Sequence, residues 1–479
     1  MTTPNLVPAP WAARPWARGL QDLPREHGFE PLRIEGRIPP ELRGTLYRNG
    51  PALTGIAGER YGHWFDGDGA ITAVELGGGE ARGAVKLVST PALMKERVAG
   101  RMLYGGYGTR VQPWQMLRGR FIKNAANTSV LSWQGRLFAI AEGGLPTEMS
   151  PVDLSTLGET RLDGVIKATF SAHPHHVPSR RTTYNFGVRP GRVNYVDVYA
   201  LPDEGRPSLL TSFPLDFGPV LHDFIATHHY LIFFIPPVRT HILPVMLGRK
   251  SLSEATTWEP QEGTRVVIVP IDDPARRVEF VTDAFYQWHF SNAREEGNLL
   301  QVELVRHPDW STNTWLHELT RGGPSAPATG ELCRMEVDLT RKTLKVYPLW
   351  DTAVEFPRIR PGLEGTSHRY TWLAAHTPEQ PLAMLSALGR FDRDTGQMST
   401  FSVGEGMYPS EPVFVPRGTT AEDDGWLLSL VYDPSSHLSH VAVWDAGDLP
   451  RGVIGRAWFD HFIPHTFHGG FEPVRSLSS

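Results

Sequence analysis

The chain has a single cysteine, Cys333, among its 479 residues, so no intrachain disulfide can hold the fold together. That usage suits a reducing compartment. Basic charge is not in surplus either. Lys and Arg number 47 against 52 Asp and Glu, a formal net charge of −5. A nucleic-acid binder would carry a basic stripe or excess, so that class is set aside. Long apolar runs are also missing. The longest, Tyr230 to Val238, is broken by Pro236 and Pro237, whereas a membrane-spanning helix needs about 20 apolar residues. The N-terminal stretch carries Pro8, Pro10, Arg14, Pro15 and Arg18 but no continuous apolar segment of the secretory type. These absences predict a cytoplasmic protein, with residues 1–15 as a flexible leading segment.

What the sequence does have is punctuation. Glycine (47) and proline (41) recur throughout, and short apolar, β-branched runs lie between them. Val193 to Ala200, Tyr230 to Ile235, Thr264 to Pro270, Leu299 to Val305, Leu344 to Leu349, Trp426 to Tyr432, His440 to Trp444 and Val453 to Phe459 are of strand length and bounded by turn residues. The best helix candidates are Ala92 to Gly100 and Asn313 to Thr320. No βαβ alternation and no linker-like segment interrupts the chain. Residues 1–479 therefore read as one all-β domain: a sandwich, a barrel or a propeller. No fixed-period repeat selects among these, although the strand number favours a propeller.

Of 19 histidines, the candidate ligands are four that sit inside or beside apolar strand-like runs. His173 lies in Ser171-Ala-His-Pro174, His222 in Leu221-His-Asp-Phe224, His289 in Trp288-His-Phe-Ser-Asn292 and His468 in Thr466-Phe-His-Gly469. Local metal motifs such as HExxH or CxxC do not occur. Ligands this dispersed converge only in a fold that returns repeatedly to one axis. An imidazole set without thiolate suits Fe, Cu, Ni or Zn, so composition alone does not choose the metal. Glu142, Glu355 and Glu411 are embedded in or beside apolar segments, where a carboxylate needs a partner. Metal-bound imidazoles usually donate their second N–H to such an acceptor. Glu422, in Ala421-Glu-Asp-Asp-Gly425, reads instead as part of an exposed turn.

These segments, taken in order, resemble the carotenoid cleavage oxygenases. The resemblance runs from about Trp16 to His468. It is carried by Gly44-Thr-Leu-Tyr-Arg-Asn-Gly-Pro51, His63-Trp-Phe-Asp-Gly-Asp-Gly69, Asn124-Ala-Ala-Asn-Thr128 and Ala141-Glu-Gly-Gly144, then by the four histidine segments, Glu355-Phe-Pro357 and Glu411-Pro-Val-Phe-Val-Pro416. It implies a seven-bladed β-propeller with a helical and loop cap over the active-site face, and Fe(II) on the axis. It further implies that His173, His222, His289 and His468 are the iron ligands. Glu142, Glu355 and Glu411 would orient His222, His289 and His468, leaving His173 without a glutamate. Thr128 matches a threonine whose methyl group crowds one open iron position, and is carried over as the catalytic position. Phe65 and Trp288 match aromatic cavity positions. His175, His176, His228, His229 and His465 match none and read as ordinary polar residues.

The implied reaction is oxidative cleavage of one C=C bond of a carotenoid or apocarotenoid by O2, giving two carbonyl products. No organic cofactor is called for, and neither GxGxxG nor a Walker A pattern occurs. In the stilbene-cleaving branch a lysine directly precedes the first of these glutamates. Ala141 stands there, which argues against a hydroxystilbene; the apocarotenoid branch can carry a tryptophan at this place, so Ala141 departs from that pattern too and predicts a wider cavity at that point. Leu243-Pro-Val-Met-Leu-Gly-Arg-Lys250 sets apolar residues beside two cations and predicts peripheral membrane contact. Stilbene cleavage, polyene isomerisation on the same scaffold, and a non-catalytic lipid-binding propeller are the alternative readings.

Overall fold

The short apolar runs pair with their sequence neighbours into seven antiparallel sheets, the blades of a propeller. The computed structural model describes residues 14–118, 121–321, 323–377, 382–418 and 420–474. Five blades are built from consecutive stretches: Ser129–Glu159, His175–Leu215, Ile225–Thr282, Tyr286–Trp350 and Val354–Ser402. The other two draw on both ends of the chain. Strand Arg33–Gly36 pairs with Val453–Trp458 on the sixth blade, and strand Gly469–Pro473 pairs with Gly44–Leu53 on the seventh. Both ends are thereby tied into the ring. Of the leading segment expected to be flexible, residues 1–13 lie outside the described residues. Pro15 opens a short 3-10 turn, Pro15–Leu20, whose Trp16 and Leu20 are buried.

Strand Tyr230–Ile235 explains why the runs are apolar on both sides. Successive side chains alternate between faces. Leu231, Phe233 and Ile235 pack with Phe186 and Phe213 of the preceding blade and with Phe224 in the connection between the two. Ile232 and Phe234 pack with Phe285, Phe290 and Leu304 of the following one. A strand between two blades faces two cores, so it cannot show the apolar–polar alternation of a half-exposed sheet.

Helices are few and lie among the loops. Pro91–Ala99 starts one residue earlier than expected, because Pro91 fits the first helical position and Thr90 accepts a hydrogen bond from Leu93 N. Ser311–Leu319 starts two residues earlier than expected. The first of these helices is pinned by a buried charge cluster. Lys123 Nζ reaches Asp68 (2.8 Å), Glu96 (3.3 Å) and the Tyr61 hydroxyl (2.6 Å). Glu96 accepts from Leu103 N and Tyr104 N as well. Asp66 receives Gly108 N and the Thr109 hydroxyl. The two aspartates of the His63–Gly69 segment thus fasten loops to the blade beneath.

Candidate metal centre

Each of the seven blades delivers one of the four histidines or three glutamates, from a strand or the turn beside it. His173 precedes strand His175–Val177, His222 precedes Ile225–Ala226, His289 lies within Tyr286–Glu296 and His468 precedes Gly469–Pro473. Glu142 follows Arg136–Ile140, Glu355 lies in Val354–Arg358 and Glu411 precedes Val413–Pro416.

Local chemistry sets each side chain. The Ser171 hydroxyl accepts from His173 N, while Asn185 donates to Ser171 O. Asp223 accepts from Phe290 N (3.0 Å) and lies 2.8 Å from His175 Nε2, so the residue after His222 ties three blades together. His289 sits where the pairing register slips between Gln287 and Phe290, an irregularity that re-aims a side chain. The backbone of His468 is held by Thr128 O and Asn49 N. A Cβ on Gly469 would lie 1.9 Å from Tyr47 O, so the residue after His468 must be glycine for the strands to meet. Phe356, next to Glu355, takes φ +57°, a costly conformation for a bulky residue. Its N–H donates to Glu355 (2.9 Å), and its ring packs on His289 and His468.

The four imidazoles form one cluster whose ligand atoms lie within 4.8 Å of one another. His289 Nε2 is 3.2 Å from His222 Nε2 and 3.1 Å from His468 Nε2. Nitrogens about 2.1 Å from a shared ion stand about 3 Å apart when adjacent, so these separations suit a metal. The outward nitrogens are already engaged: His222 Nδ1 is 2.7 Å from Glu142, His289 Nδ1 2.5 Å from Glu355 and His468 Nδ1 2.9 Å from Glu411. With Nδ1–H donating outward, each Nε2 presents a lone pair inward. Three lone pairs packed this closely repel unless a cation sits among them. His173 Nε2 is buried without a hydrogen-bond partner. The residues present therefore fit a metal ion.

Electrostatics agree with this for His173 and His468, whereas His289, against the lowering effect of burial, is drawn above its ordinary value by Glu355. Burial, then the other three histidines, pushes His173 well below the ordinary histidine range, which keeps it neutral. Burial likewise brings His468 down to about 4, against the pull of Glu411. Burial alone would raise the three carboxyls, yet all are held below their usual value: Glu142 by His222, Glu355 by His289 and His307, and Glu411 by Arg358, His468 and Arg48. All three remain anions.

A cavity of about 650 Å³ opens on the cluster. Phe65, Thr128, Ala141, Glu142 and Trp288 line it. Trp288 stands edge-on to His222 with ring centroids 4.8 Å apart, and its indole N–H donates to the Thr312 hydroxyl. The Thr128 hydroxyl is 3.1 Å from Asn127 Oδ1 and 3.5 Å from Glu142. Ile242, Thr312 and Leu316, from helices among the loops, complete the wall on the capped side. The other histidines bond elsewhere: His176 to Asp203, His228 to Ser179, His229 to Glu295 and His465 to Trp16 O.

Sequence reasoning missed the layer behind the glutamates. Arg48 (2.7 Å) and Arg358 (2.8 Å) both donate to Glu411, and His307 lies 3.0 Å from Glu355. Arg48 carried a signal, being the one charge in the apolar strand Gly44–Leu53. Glu422 lies in a turn, as expected, but it also accepts from Arg369 N and Tyr370 N, which starts a strand of the neighbouring blade.

A family model described as "Retinal pigment epithelial membrane protein" matches residues 20–473. The apocarotenoid-15,15'-oxygenase of Synechocystis sp. is 30% identical over 477 residues, covering 96% of each chain. The lignostilbene-alpha,beta-dioxygenase isozyme III of Sphingomonas paucimobilis is 28% identical over 487 residues, again covering 96% of each. The crystal structure of cobalt-substituted Synechocystis ACO superposes with a TM-score of 0.88 at 29% identity, covering 96% of this chain and 98% of that one.

Proposed function

The chain belongs to the carotenoid oxygenase family and is a dioxygenase, and from that premise we propose an iron(II) enzyme that cleaves one C=C bond of an apocarotenoid or carotenoid with O2, giving two carbonyl products. The observation that carries the proposal is the convergence of four imidazoles, three of them backed by anionic carboxylates, at one apolar-lined cavity whose wall includes His222, His289 and His468. The seven blades act as a single domain in this reading.

In the proposal His173, His222, His289 and His468 hold the metal. When bound, Fe(II) would supply the electrons that activate O2. The protein's part is placement. Glu142, Glu355 and Glu411 fix the tautomer and the plane of three ligands and offset the charge of the ion. Thr128 is the catalytic position in a steric sense: its methyl group narrows one open site. Phe65 and Trp288 wall the cavity beside the ligands, where they keep water away and hold the alkene within reach. No side chain is assigned as acid or base. A polyene suits an apolar-lined cavity, and Ala141 lacks the amine that would meet a phenol. These two features favour apocarotenoids over hydroxystilbenes.

The test is a product screen. The protein, purified without air and loaded with Fe(II), is offered apocarotenals, full-length carotenoids and stilbenes under labelled O2. Two carbonyl fragments carrying label are expected, with apocarotenals turned over best. A geometric isomer without label as the only product would replace cleavage by isomerisation. No turnover of any polyene would leave a binding propeller.

A further inference from the structure

The three carboxylates behind the histidines are supported in three different ways. Glu411 is clamped by two guanidinium groups and by Gly469 N. Among the described residues no Lys or Arg reaches Glu142, which lies 2.7 Å from His222 Nδ1 and 3.5 Å from the Thr128 hydroxyl. Glu355 is held by a second histidine. Its Oε2 receives His289 Nδ1 and Phe356 N, while its Oε1 lies 3.0 Å from His307 Nε2. His307 Nδ1 in turn lies 3.1 Å from the Thr329 hydroxyl. His307 is 1% exposed, and both it and Thr329 line the cavity.

The anionic Glu355 sets the hydrogen-bond directions along this chain when His307 carries one ring proton. Glu355 is an anion and can only accept, so His307 must carry its proton on Nε2. Its Nδ1 is then an acceptor, and the Thr329 hydroxyl must donate to it. His307, backed by Thr329, thus donates to one oxygen of the carboxylate, whose other oxygen takes the N–H groups of His289 and Phe356. The backbone is shaped for this. His307 ends strand Leu299–His307, and Gly330 O accepts from Val354 N. A Cβ on Gly330 would lie 2.6 Å from Val354 O and 3.3 Å from the His307 ring. The turn bearing Thr329 therefore closes over His307 only because the next residue is glycine.

We propose that His307 is a positioning residue of the metal centre, which holds Glu355, and through it His289, from the cavity side, with Thr329 setting its tautomer. The inference rests on the metal reading above. Without His307, Glu355 Oε1 is left buried without its donor, and the carboxylate is free to turn away from His289. Outer partners of this kind typically change metal affinity about 10–100-fold when removed.

Full-length wild type, His307→Phe, His307→Gln and Thr329→Val are stripped of metal and titrated with Co(II) against a competing chelator. Affinity, the visible Co(II) absorption bands and the melting temperature of the metal-free protein are read for each. His307→Phe is expected to bind Co(II) about 10–100-fold more weakly with altered bands. In His307→Gln the amide can donate to the same oxygen, so most of the affinity and the wild-type bands should return. Thr329→Val should move both readouts the same way by less. Wild-type affinity and bands in His307→Phe, or a loss in His307→Gln equal to that in His307→Phe, would overturn the proposal. So would a lowered melting temperature with an unchanged centre, which marks a packing role only. If His307→Phe does not fold, a Thr329→Val centre identical to wild type is the overturning result. A wild-type protein that takes up no Co(II) fails the metal reading itself, a distinguishable outcome.

Discussion

Residue 141 decides how much room lies beside the first of the three glutamates. Ala141 is buried at the cavity wall, and its small side chain leaves the space that a larger one would fill. Ala141→Trp should therefore shift substrate preference toward shorter polyenes, read as relative kcat/KM over a chain-length series of apocarotenals. An unchanged preference would remove Ala141 from the determinants of specificity. Single positions also mark where sequence reading reached its limit. The four histidines stood out through their immediate neighbours, and the structure gives those neighbours work: Asp223 ties blades, Gly469 permits close approach, and Asn292 donates to Leu363 O and Thr366 O. His307 offered no such sign. At the end of Leu304-Val-Arg-His307 it looks like any strand-end polar residue, and its meaning comes from a carboxylate 48 positions away.

Strands were legible as elements because each apolar run is bounded by glycine, proline or a polar turn. Tyr230–Ile235 and Thr264–Pro270 begin and end where the composition changes. The short helix Ile242–Met246 was legible only as an apolar segment ending in cations. In the structure Ile242, Leu243, Met246 and Leu247 are exposed, while Val245 turns inward. A Cβ on Gly248 would lie 2.8 Å from the Pro113 ring, which places this element against Pro113–Met116, near exposed Trp114 and Leu117. Ile242 also lines the cavity, so the apolar patch adjoins it. No helix among the described residues is long and apolar enough to cross a membrane. We propose peripheral contact through this patch, with Arg249 and Lys250 near the headgroups. In flotation with anionic vesicles the wild-type protein should rise with the lipid, and the Leu243→Glu, Met246→Glu double variant should stay behind. A wild-type protein left wholly in the dense fraction would reject the contact.

The ring as a whole was the least legible level, because blade closure pairs residues from opposite ends of the chain. Nothing near Arg33 or Gly469 announces a partner more than 400 positions away, and only the resemblance supplied the number of blades. Folding also buries histidines outside the ligand set. His63 and His440 are each pushed down to about 3 from 6.5, chiefly by burial. Folded, they stay neutral; unfolded, they take up protons as pH falls below 6.5. Their contribution is therefore intact at neutral pH and is lost as pH falls from 6.5 toward 3. By pH 4 it amounts to about 3 kcal/mol for each. The melting temperature of the metal-free protein should fall across that window, and His440→Phe should make the fall shallower. An equal slope in the variant would remove His440 as a cause. The claim on which the rest depends is that four blades hold one metal ion. Anaerobic titration of the metal-free chain with Fe(II) tests it directly. Saturation at one iron per chain is expected, with uptake abolished or strongly weakened by His289→Ala in a protein that still folds. No uptake by the wild-type chain, or uptake unchanged by that substitution, would contradict it.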